Sequence, residues 1–140
     1  MRLWHKDLIP YLPCQQLIAQ WRECCAIASN WANKGTPNHL LVNKVMEYPK
    51  CDFEEYCFEI AKEFKKRNYK ISEKAKMNWN NNILLIENNI PLDNNPIFEN
   101  WHNNRYLKQC LLNLQEKYDC GGIPEAEWQI IQDKFSQYLN

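Results

Sequence analysis

An all-α fold is what this chain predicts, and three observations predict it. Apolar residues recur every three or four positions along five or six segments, no segment of any length alternates apolar with polar, and no internal repeat is present. With 140 residues, 45% hydrophobic and 24% charged, the chain has the material for one compact domain over 1–140 and is not disordered by composition.

The first helix is the clearest. From Pro13 to about Ala28, the positions Cys14, Leu17, Ile18, Trp21, Cys24, Cys25 and Ala28 form one stripe, and Pro13 suits a first helical position. The loop Asn33-Lys34-Gly35-Thr36-Pro37 ends it. Leu40, Leu41, Val45 and Met46 then suggest a second helix that stops before Pro49. Asp52 and Glu55 resemble a capping box, behind which Phe53, Tyr56, Cys57, Ile60, Ala61 and Phe64 trace a third helix ending near Asn68. Lys65, Lys66 and Arg67 sit in its last turn, where positive charge complements the helix dipole. Ser72 is a cap candidate for a fourth helix. The Asn-rich stretch 78–104, with Pro91 and Pro96, reads as an irregular connection around Ile83–Ile86. Tyr106, Leu107, Cys110, Leu111 and Leu114 mark a further helix closed by Gly121-Gly122. Pro124 opens the last one, with Glu125 and Glu127 in its first turn and Trp128, Ile131, Phe135 and Tyr138 inward.

Composition excludes several classes of function. No run approaches the ~18 apolar residues of a membrane span, and the opening lacks a signal-peptide apolar core, so a cytoplasmic location is expected. Seven cysteines, an odd number without a CxxC, fit neither a disulfide framework nor paired zinc ligands. No metal or cofactor is implied, and they read as small apolar residues, Cys24-Cys25 among them. The formal charge is zero, but residues 1–76 carry thirteen Lys or Arg against nine Asp or Glu, and the remainder four against eight. This asymmetry leaves room for a basic face.

On the first helix Gln16, Gln20 and Glu23 lie opposite most of the apolar stripe, with Arg22 beside them. Such a face is either solvated or a site. An α-amine has a pKa near ~7.7–8.0, so a free amino terminus close to this helix is a usable nucleophile at neutral pH. Of the histidines, His5 lies nearest Met1 and is a candidate pH-sensitive donor; His39 and His102 read as loop or cap residues.

The pattern Gln15-x-Leu17-x-Ala19-x-x-Arg22-Glu23, preceded by Leu12, resembles the corresponding helix of the pyrimidine dimer DNA glycosylase, or phage-type endonuclease V, family. The opening Met-Arg-Leu-Trp-His and Arg22-Glu23-Cys24-Cys25 resemble its little-characterised bacterial branch, as does Tyr106-Leu107-Lys108-Gln109-Cys110-Leu111. Lys66-Arg67-Asn68-Tyr69 is similar to the family's Lys-Arg-Gly-Phe helix ending, and the resemblance spans roughly residues 1–72.

The resemblance implies DNA repair chemistry, a glycosylase and AP lyase acting on damaged or abasic double-stranded DNA. The terminal amine, here that of Met1, attacks C1′ of the damaged nucleotide, expels the base and forms an imine. Glu23 matches the family's glutamate, which stabilises the cationic intermediate and assists proton transfer. Arg22 matches the arginine that holds a phosphate. Arg2, His5, Lys65, Lys66 and Arg67 complete the expected DNA-contacting set, and seven cations against Glu63 and Glu73 within residues 62–76 suffice for several phosphate contacts. The chain departs from the family at its nucleophile: a threonine normally exposed by methionine removal is replaced by Met1, which Arg2 is expected to retain. The alternatives are a non-catalytic nucleic-acid-binding module that keeps the scaffold, and a helical interaction protein whose polar face is only surface.

Overall fold

The computed structural model describes residues 1–88 and 90–139. Five α-helices, α1 (Cys14–Lys34), α2 (Lys50–Lys66), α3 (Glu73–Leu85), α4 (Asn104–Asp119) and α5 (Glu125–Lys134), account for most of it. Short 3₁₀ helices occupy Lys6–Tyr11, Asn43–Glu47 and Ser136–Tyr138, and no strand occurs among the described residues. No described helix is long and apolar enough to cross a membrane.

α1 is the central rod, 21 residues and therefore about 30 Å long. Pro13 stands one position earlier than the sequence predicts, as the cap residue rather than the first helical one. At the other end Gly35 takes the left-handed conformation, φ +78°, and its N–H returns to the Trp31 carbonyl, 3.1 Å away. Only glycine adopts this backbone without steric cost, which explains why the helix stops here. α2 lies antiparallel to α1: Trp31 meets Phe53 at one end of the pair and Trp21 meets Phe64 at the other. α3 packs on the neighbouring flank through Trp79, whose ring lies 6.5 Å from that of Trp21.

Three expectations need correction. The segment from Asn78 does not become irregular at once: α3 runs to Leu85, opened by Ser72, whose Oγ accepts the Ala75 N–H at 3.1 Å. Asn78, Asn80 and Asn81 face water while Trp79 and Ile83, one turn apart, are buried, so two well-spaced anchors override a composition that favours turns. The carbonyls of Ile83 and Ile86 are met by the Lys50 ammonium, each at 3.2 Å. Asp52 does not cap α2, which starts at Lys50 after Pro49. It is the helix's third residue, and its Oδ2 accepts the Phe98 N–H at 3.1 Å. Leu40 and Leu41 do not belong to a second α-helix; they occupy an exposed turn before the 3₁₀ segment, whose Val45 is buried.

That Phe98 contact stabilises an unusual backbone. Phe98 has φ +55° and Asn100 φ +70°, a region bulky residues avoid. The Phe98 carbonyl accepts from Trp101 N (3.0 Å) and His102 N (2.9 Å), and its ring is fully buried. The tight turn thus carries Trp101 and His102 into the core ahead of α4.

Candidate active site at the amino terminus

Residues 2–6 do not fray. Leu3, Trp4 and His5 are buried, and the backbone around them is held by side chains from three helices and the 98–102 turn. The Trp4 N–H donates to Gln20 Oε1 at 2.7 Å, and the Trp4 carbonyl lies 2.6 Å from the Tyr56 hydroxyl. Tyr106 donates to the Leu3 carbonyl at 2.5 Å, and the Lys6 N–H donates to His102 Nδ1 at 3.0 Å. Buried backbone groups must find partners, and here each partner is a specific long-range side chain.

Gln20 is the hub. It is fully buried, and its Nε2 donates both to the Arg2 carbonyl, 2.9 Å away, and to Glu23 Oε2, 3.0 Å away. Its Oε1 accepts from Trp4 and lies 2.9 Å from the Tyr56 hydroxyl, whose single proton serves the nearer Trp4 carbonyl. The amide orientation is fixed by this set, since reversing it would set Oε1 against a carbonyl and a carboxylate. Gln20 and Glu23 share a flank of α1 because residues three apart are neighbours on a helix. One nitrogen therefore joins the backbone next to Met1 to the Glu23 carboxylate.

The residues singled out in the sequence fall into three groups. Arg2 and Glu23 come together through Gln20: Met1 is 39% exposed, Glu23 half-buried, and the Arg2 guanidinium lies 5.3 Å above the Trp4 ring with no ion-pair partner among the described residues. Arg22 is exposed, about 100° round the helix from Glu23. Lys65 and Lys66 are exposed at the end of α2, where the last turn and the chain beyond it border a groove of about 840 Å³ lined also by Lys62, Lys70 and Lys76.

His5 and Arg67 are placed otherwise than the sequence reading had them. His5 is buried, its Nδ1 accepts the Asp7 N–H at 3.1 Å, and burial pushes its pKa below the ordinary histidine value. It stacks on His102, ring centroids 5.1 Å apart, as part of the core rather than a surface contact. Arg67 turns inward: it pairs with Glu63 at 3.2 Å and donates to the carbonyls of Leu12 (2.8 Å) and Pro10 (3.2 Å). Its charge ties α2 to the segment that leads into α1.

Gln20, Tyr56, Tyr106 and His102 do the positioning, and sequence reasoning assigned none of them that task. Burial raises the Tyr56 and Tyr106 phenols well above their usual range, so both remain neutral donors. His102 is driven to about 2, mainly by desolvation and secondarily by the neighbouring His5, which keeps its Nδ1 free to accept from Lys6. The one signal in the sequence is Gln20, a polar residue three positions before Glu23 on the same polar face of the helix.

A buried amide thus couples the amino-terminal backbone to a helix glutamate within an all-helical fold. The pyrimidine dimer DNA glycosylase family matches residues 1–77, more than half of the chain, and the protein belongs to that family. No curated protein matches the chain. No solved structure matches it either.

Proposed function

We propose that this protein is a DNA glycosylase and AP lyase that acts on damaged or abasic duplex DNA, with the Met1 amine as nucleophile and Glu23 as the acid–base partner. The observation that carries this reading is the bridge through Gln20 Nε2, which holds the Arg2 carbonyl and the Glu23 carboxylate within 3.0 Å of one atom. Such pre-positioning is what an amine nucleophile and a charge-stabilising carboxylate require.

The Met1 amine attacks C1′ as the C1′–base bond breaks, the base leaving with the bonding electrons and a proton. Loss of the amine proton and opening of the sugar then give an imine between the Met1 nitrogen and C1′. Its protonated form withdraws electrons from C2′, and loss of a C2′ proton expels the 3′ phosphate by β-elimination. Glu23 stabilises the iminium charge and accepts a proton once ionised. Arg22 and Arg2 hold neighbouring phosphates, with Lys65 and Lys66 as outlying contacts.

Borohydride trapping tests this. Reduction during reaction with abasic duplex is expected to leave a covalent adduct that maps to Met1 by mass spectrometry. Extending the chain by two residues before Met1 is expected to abolish trapping. An intact, unblocked protein that binds abasic duplex and traps nothing supports the non-catalytic reading, to which the Met1-for-threonine departure points.

A further inference from the structure

The turn between α1 and the Asn43–Glu47 segment holds two adjacent leucines in water. Leu40 is 87% exposed and Leu41 52%. Isolated exposed leucines are ordinary, but this turn is stiff and presents a pair. The Val42 and Asn43 N–H groups donate to the His39 carbonyl (3.1 and 2.9 Å), Leu41 N–H to His39 Nδ1 (3.2 Å), and His39 N–H to Asn43 Oδ1 (3.2 Å). Asn38, at φ +63°, starts the reversal. So constrained, the leucines do not fold back onto the core.

They form one lip of a cleft of about 580 Å³ whose other walls carry Arg2, Lys44, Arg105 and the rings of Trp101 and Tyr106. No carboxylate lines this cleft, and none of its three cations forms an ion pair among the described residues. Arg2 adjoins Met1, so the cleft opens beside the proposed reaction centre. Arg105 and the two rings come from beyond the family-matched segment. An apolar tip set among unpaired cations complements a polyanion with a stacked apolar interior, which describes duplex DNA and not an apolar peptide.

We propose that Leu40 and Leu41 are a wedge that enters the base stack beside the reacting nucleotide, while Arg2, Lys44 and Arg105 hold the phosphates of the parted strand. Extruding a nucleotide leaves a gap in the stack, and apolar side chains that fill it offset the lost stacking. This rests on the DNA reading above and adds the unstacking device to it.

The test uses an abasic duplex with 2-aminopurine next to the lesion, whose fluorescence rises when that base unstacks. The unaltered protein is expected to raise it at saturation. Leu40→Ser/Leu41→Ser, at positions so exposed that the thermal melt should not move, is expected to bind about tenfold more weakly and leave the fluorescence near that of free duplex. Lys44→Gln/Arg105→Gln is expected to keep the rise at saturation and reduce the slope of log K against log salt by about 1.8. A full fluorescence rise with the leucine variant overturns the wedge, as does binding by the unaltered protein without any rise, and in both cases the DNA reading stands. An unchanged salt slope in the charge variant overturns the phosphate assignment. Failure of the unaltered protein to bind duplex DNA overturns both readings.

Discussion

Two positively charged regions of this molecule are built on opposite terms. At the amino terminus the charges are few, and the Arg2 and Trp4 backbone and the Glu23 carboxylate are held by a buried polar network centred on Gln20. At the end of α2 the charges are many, yet the lysines stand over an apolar floor of Phe58, Ala61 and Ile71, and the one arginine there is spent on the protein's own carbonyls. Charge density alone marks a surface that attracts polyanions. Fixed geometry beneath a few groups marks a place where chemistry is held in register.

The sharpest way to break this comparison is at its hub. Gln20→Met removes the amide while keeping volume, leaving the Trp4 N–H and the Arg2 carbonyl without their buried partner. Stability is expected to fall by about 3 kcal/mol in urea denaturation, with borohydride trapping lost alongside. A Gln20→Met protein as stable as the original would mean that the network does not organise the terminus.

Glu23→Gln separates positioning from chemistry. The Gln20 amide still finds an acceptor, so stability should stay within about 1 kcal/mol and DNA affinity within a few-fold, while single-turnover cleavage slows by about 10²–10³. Unaltered cleavage would remove Glu23 from the reaction.

A pH titration reads the support beneath the site. The His102 pKa is held at about 2, below the ~6.5 of an unfolded chain, so between these values the unfolded chain binds a proton that the folded one refuses. Stability is therefore fully present above pH 6.5 and lost as the pH falls, by about 1.4 kcal/mol per pH unit. His5, also lowered, acts in the same sense, whereas Asp52, raised by burial, offsets part of the loss near the carboxylate range. His102→Asn, which retains an acceptor for Lys6, should flatten the slope measured by denaturation between pH 4.5 and 6.5.

The smallest effect belongs to the lysine groove. Lys65→Gln/Lys70→Gln should leave stability within about 0.5 kcal/mol and trapping intact. A large loss of trapping would show that the second basic region is part of the reaction centre after all.

Much of the scaffold was legible in residue spacing. The apolar stripes of α1, α2, α4 and α5 are visible because a 3.6-residue period repeats over several turns, and Gly35 and Gly121-Gly122 punctuate α1 and α4 as caps do. α3 leaves a fainter periodic trace because its buried face amounts to Trp79 and Ile83 among asparagines. Leu40 and Leu41 are the converse case, since apolar identity says nothing about whether a partner surface exists within the chain. Of the candidate site, Glu23 and Arg22 were visible by family likeness, and Gln20 only as a polar residue on a face of uncertain use.

By itself, then, the sequence determined the helices, their ends and the family to which the chain belongs, because these follow from local periodicity, capping chemistry and motif spacing. Tertiary structure alone decided that Gln20 is buried, that His5 and Arg67 find partners within the protein, and that the Arg2 carbonyl shares Gln20 with Glu23. Each of those outcomes depends on which distant groups meet a side chain, Tyr56 and Tyr106 above all. A hydrogen bond between residues a hundred positions apart has no periodic trace in the chain that forms it.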